Sequence, residues 1–112
     1  MKTNYQKPLT FGRVIANARR ERGLLLKECA ALIIKEDGQP ISFQYLNDIE
    51  HDRRQPTSDH MIEQFAEQLG IPQDLLYHLA RKFPTDLNEQ ADVEQILAAW
   101  QAFREKLTPK AA

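Results

Sequence analysis

Cysteine occurs once, at Cys29, so no internal disulfide can form, and with His51, His60 and His78 the only histidines no Cys/His pair falls at zinc-ligand spacing. The chain is expected to be reduced, free of metal and without a cofactor. Long apolar runs are also missing. The longest, Cys29-Ala30-Ala31-Leu32-Ile33-Ile34, is far short of the roughly 20 residues that span a bilayer, and the start from Met1 to Pro8 carries lysines but no apolar stretch. Neither membrane insertion nor secretion is expected, and the predicted location is the cytoplasm. Glycine is scarce, with four in the chain, and the single Asp-Gly pair, Asp37-Gly38, has flanks that do not alternate cleanly. The hairpin signals of a β fold are therefore absent. No nucleophile-base-orienter set, phosphate loop or clustered carboxylate pair stands out, so no enzymatic activity is expected.

What is present is one domain's worth of chain: 112 residues, 42% hydrophobic and 28% charged. The net charge of −1 is unevenly spread. Residues 1–56 hold ten Lys/Arg against seven Asp/Glu, and residues 57–112 hold five against nine. A basic half on a near-neutral chain points toward a polyanion partner, although an ordinary solvated surface has the same composition.

Helical periodicity runs almost throughout and predicts an all-α fold. Phe11, Val14, Ile15 and Ala18 sit at i, i+3, i+4, i+7 behind a Thr10 cap, with Gly23 as the stop, which predicts a first helix over about Thr10 to Arg22. Leu26, Cys29, Ala30 and Ile33 repeat the spacing, so a second helix runs to about Lys35, broken by the polar stretch to Pro40. A third, capped by Ser42, covers about Phe43 to Asp52, with Leu46 and Ile49 inward. A fourth carries Ile62, Phe65, Ala66 and Leu69 and ends at Gly70. The fifth has Pro72 near its start and Leu75, Leu76 and Leu79 inward. Residues 1–9 read as an arm, residues 10–82 as a five-helix domain, and residues 83–112 as a hinge followed by a last helix capped by Asp86 or Asn88 and running to about Leu107.

At 100° per residue, burial of Leu46 and Ile49 turns Gln44, Asn47, Asp48 and His51 outward on the third helix, with Ser42 and Phe43 at its N-terminal end. Gln and Asn donate and accept at once, as the adenine edge in a DNA major groove requires. Arg53 and Arg54 follow directly, where cations would meet phosphates. By spacing alone the signal is weak, and an ordinary solvated polar face is the better explanation of these residues.

The segment Ile41-Ser42-Phe43-Gln44-Tyr45-Leu46-Asn47-Asp48-Ile49-Glu50-His51-Asp52-Arg53-Arg54-Gln55-Pro56-Thr57, with Gly23-Leu24, Cys29-Ala30 and Phe65-Ala66-Glu67-Gln68-Leu69-Gly70-Ile71, resembles the phage-repressor/Cro family, also called the xenobiotic-response-element family. The likeness covers residues 11–80. It implies a helix-turn-helix made by the second and third helices of a five-helix domain. It further implies a sequence-specific transcriptional regulator, expected to be a dimeric repressor, bound to half-sites about 34 Å apart on double-stranded DNA. Carried over position by position, it makes Ser42, Phe43, Gln44, Asn47 and Asp48 base-facing, and Tyr45, His51, Arg53 and Arg54 backbone-facing. It also implies an ion pair between Arg19 and Glu50. Phe43 would stack on a thymine methyl or cover the fourth helix, and Tyr45 is divided between packing and contact.

Three departures from the family stand out. Ile34 to Pro40 replaces a single glycine in the turn, and reads as an extended exposed spacer. Leu25-Leu26 replaces the usual Ser-Gln start of the second helix, leaving Lys27 to supply the phosphate charge. Asp52 stands at a helix-ending glycine, a position Asp tolerates better than most residues. In the last helix Val93, Ile96, Trp100, Phe103 and Leu107 are spaced 3, 4, 3 and 4 apart, a seam suited to a facing helix in a homodimer or to packing on the fifth helix. Two other functions fit the same pattern: an antitoxin that binds a toxin partner while repressing, and a protein-interaction module that does not bind DNA.

Overall fold

In a computed structural model, residues 8–56 and 58–109 are described. Most of the expected N-terminal arm, residues 1–7, and Thr57 of the motif lie outside them. The fold is all-α, with helices α1 (Phe11–Glu21), α2 (Leu26–Leu32), α3 (Phe43–Glu50), α4 (Asp59–Leu69), α5 (Gln73–Leu79) and α6 (Val93–Leu107). Among the described residues no helix is long and apolar enough to cross a membrane.

Caps set the ends of these helices. Thr10 accepts from the Arg13 amide, Ser42 from the Tyr45 amide and Ser58 from the Met61 amide. Gly70 ends α4 in the left-handed conformation, and Arg22 Nε donates to the Leu69 carbonyl beside it. Val14, Ile15, Cys29, Ile33, Leu46, Ile49, Ile62, Phe65 and Leu76 are fully buried in one core built from α1 to α5 and their connections. Each larger aliphatic or aromatic side chain contributes about 1.5–3 kcal/mol by leaving water. Tyr77, which the periodicity of the fifth helix does not mark, is buried beside Leu76, while Leu75 and Leu79 are only partly covered.

Three boundaries differ from the sequence reading. The second helix stops at Leu32 rather than Lys35, because Ile33 turns extended and its carbonyl accepts from the Ile41 amide. The spacer is a small hairpin: Ile34 bridges Pro40, the Lys35 amide donates to Gln39, the Gly38 amide donates to Lys35, and Gly38 has φ +86°. That pattern is a three-residue hairpin turn with a glycine bulge, so Asp37-Gly38 makes a turn despite its irregular flanks. The third helix stops at Glu50, with His51 as its cap and Asp52 at φ +60°. The last helix is capped by Asp92, not Asp86 or Asn88, since Asp92 and Gln95 bond each other's backbone amides reciprocally. Asn88 instead accepts from the Gln90 amide within the preceding turns.

Candidate nucleic-acid interface

The inner face of α3 is fixed against α1 by an unusually close approach. A Cβ on Gly12 would overlap the carbonyl oxygens of Ile49 and Glu50, so only glycine lets the two backbones meet there. Asp52, placed by its left-handed backbone, turns back to α1: its Oδ2 accepts from the Thr10 hydroxyl at 2.7 Å and its Oδ1 from the Gly12 amide at 3.0 Å. The residue at the helix-ending position thus also caps the first helix. Deeper in, Arg19 Nε and Nη2 donate to the two oxygens of Glu50 at 2.6 and 3.0 Å, and Arg19 Nη1 donates to the Leu24 carbonyl.

With that face anchored, Ser42, Phe43 and Gln44 are exposed at the start of α3, and Asn47 and Asp48 are half-exposed one turn on. Phe43 is 52% exposed, and it lies against α2: Lys27 Nζ stands 5.7 Å from its ring centroid. The start of α2 and the start of α3 therefore present a cation and an aromatic ring side by side. Tyr45 packs partly on the core, and the Arg54 guanidinium lies over its outer face, 5.6 Å from the centroid. Lys35 of the hairpin, Ser42, Tyr45 and Arg54 share the lining of one open cleft beside α3.

Electrostatics divides the cations into two groups. Arg53 is engaged with Asp48, its Nη2 2.8 Å and its Nε 2.9 Å from Oδ1, so the acid on the outward face is neutralised from within the chain. Arg19 is committed to Glu50, and Lys35 lies 3.7 Å from Asp37. Lys27 and Arg54 meet no carboxylate within 4.0 Å among the described residues. His51 is exposed, and its Nδ1–H donates to the Asn47 carbonyl, which occupies one ring nitrogen in closing α3 and leaves the other toward solvent.

The hairpin is held by α4. Gln64 Oε1 accepts from the Ile34 amide and His60 Nε2–H donates to the Ile34 carbonyl, so both backbone groups at the hairpin's base are satisfied by side chains. The sequence reading missed these two ties, because nothing in local spacing connects residue 34 to residues 60 and 64.

Cys29 is fully buried and burial pushes its thiol up to about 11, the setting of a packed side chain rather than a reactive one. Among the described residues no group of three or more His, Cys, Asp or Glu is placed to hold a metal ion. Compared with known proteins, the chain matches no family model, no curated protein and no solved structure.

Proposed function

We propose that this chain is a sequence-specific DNA-binding regulator of the phage-repressor/Cro kind, in which α2 and α3 form the helix-turn-helix and α3 enters the major groove. The observation that carries this reading is the outward surface of α3. Ser42 and Gln44 are exposed and Asn47 half-exposed, on the helix whose Phe43 and Tyr45 rings carry Lys27 and Arg54, two cations that meet no carboxylate among the described residues. Gln44 and Asn47 read base edges, Phe43 offers its exposed ring to a thymine methyl, and Lys27 and Arg54 meet phosphates on either side.

Asp48 plays a different part from the one the family resemblance implies. Its Oδ1 is occupied by Arg53, so in this reading Asp48 is a tether that orients Arg53, and the pair keeps a bare carboxylate away from the DNA. The acidic tip of the hairpin, Glu36 and Asp37, stays off the phosphates, and the hairpin serves as a spacer clamped to α4 by His60 and Gln64.

The test is a comparison of Gln44→Ala and Arg54→Ala on a preferred duplex and on random DNA. Gln44→Ala should cost about 1–3 kcal/mol on the preferred site and leave random DNA unaffected, whereas Arg54→Ala should weaken both alike and flatten the salt dependence. Equal losses on both duplexes for Gln44→Ala would refute the assignment of α3 as the reading element.

A further inference from the structure

Exposed aromatic rings occur at two places in the fold. Trp100 stands 6.1 Å from Phe83 and 5.4 Å from Phe103, and Phe103 also lies against His78, so these rings cover part of one another. Phe43, at the start of α3, meets no other ring among the described residues. What stands over it is the Lys27 ammonium, 5.7 Å from its centroid. The polar groups around this couple are already engaged. Leu25 and Leu26 precede Lys27, Glu28 accepts from the Leu25 amide, and the Ser42 oxygen accepts from the Tyr45 amide. The surface where α2 and α3 begin therefore offers an apolar ring and a cation that meets no carboxylate among the described residues.

A phenyl ring carries no donor or acceptor, so it does not distinguish the O4 acceptor of thymine from the N4 amino group of cytosine. It gains only from apolar area taken out of water, and the apolar group a pyrimidine presents in the major groove is a methyl on C5. In a B-form duplex that methyl lies at the rim of the groove, toward the phosphate on the 5′ side of its own nucleotide. A ring with a cation beside it matches the methyl and the phosphate of one nucleotide together. Resting on the assignment of α3 to the major groove, we infer that Phe43 and Lys27 form a subsite for a single 5-methylpyrimidine nucleotide. The ring lies on the methyl group and the ammonium on that nucleotide's phosphate. Because the ring reads the methyl and not the base, 5-methylcytosine serves there as thymine does, and methylation of cytosine at that position strengthens binding.

The probe is the duplex that the full chain selects from random double-stranded DNA. Its thymines are replaced one at a time by uracil, which removes the methyl and keeps adenine as the partner. At the position under Phe43 this should lower affinity about fourfold, the value of one methyl group leaving water. With a cytosine-guanine pair at the same position, 5-methylcytosine should bind about fourfold more tightly than cytosine. Phe43→Ala should abolish both differences with an unchanged helical spectrum, since this side chain is not part of the core. Gln44→Ala should leave both differences intact. Lys27→Ala should also leave them and lower the salt slope by about one, and an unchanged slope would remove Lys27 from the subsite. A uracil series without loss, a loss that survives Phe43→Ala, or a loss without the matching gain from 5-methylcytosine would overturn the subsite and leave sequence reading by α3 standing. Selection that returns no motif would instead contradict the reading by α3, and the subsite with it.

Discussion

Arg19 of α1 and Glu50 of α3 meet in a bidentate ion pair whose side chains are 11% and 2% exposed, with the third guanidinium nitrogen on the Leu24 carbonyl. The hydrogen bond to Glu50 raises the Arg19 pKa above its ordinary value against the opposing effect of burial, so the arginine stays charged across the accessible pH range. A pair this deep contributes little over a well-packed apolar substitute, but removing one member strands the other. Glu50→Ala should therefore lower unfolding free energy by about 3–5 kcal/mol, read from denaturant midpoints. A loss under about 1 kcal/mol would mean that the pair behaves as an exposed one.

The approach of α1 to α3 gives a sign test at Gly12. In an unconstrained helix interior, Gly→Ala stabilises by about 1 kcal/mol. Here the added methyl meets two carbonyl oxygens, so Gly12→Ala should destabilise by about 1–3 kcal/mol in thermal or denaturant unfolding. A gain in stability would show that the helices are further apart than described.

Cys29 gives a pH dependence. Burial raises the folded-state thiol from 9.0 to about 11, so the folded chain holds this proton more tightly than the unfolded one. The contribution is intact below pH 9 and is lost as pH rises toward 11. The stability gap between the parent and Cys29→Ala should narrow by about 2 kcal/mol from pH 8 to pH 10.5. A constant gap would show that the thiol ionises freely in the folded state.

The Asp48–Arg53 pair makes a double-mutant prediction. Arg53→Ala should weaken DNA binding by more than one lost phosphate contact, because it exposes Asp48, and Asp48→Ala added to it should recover part of the affinity. Strictly additive losses, measured by titration at fixed salt, would count against the tether.

The helices were legible because their information is local: apolar residues at helical spacing, a Ser or Thr ahead of each of α1, α3 and α4, and glycine after α1 and α4. Where the reading slipped, distant partners decided. Helix α2 ends early because Ile33 pairs with Ile41 and Ile34 is held by His60 and Gln64. The last cap fell to Asp92 because Gln95 completes it; Asn88 has only Ala91 three residues on, and Asp86, although Glu89 follows at that spacing, leads into turns rather than a helix. On the candidate interface, the outward phase of α3 follows from Leu46 and Ile49 alone. The pairing of Arg53 with Asp48, and of Lys27 with Phe43, depends on how the chain folds after His51 and between α2 and α3, which no spacing rule contains.

The most direct measurement is selection of bound duplexes from random double-stranded DNA by the full chain, followed by titration of the recovered site against a scrambled duplex at physiological salt. The account predicts a recurrent motif bound at least about a thousandfold more tightly than the scrambled sequence. Recovery of no common motif, with equal affinity for every duplex, would contradict it.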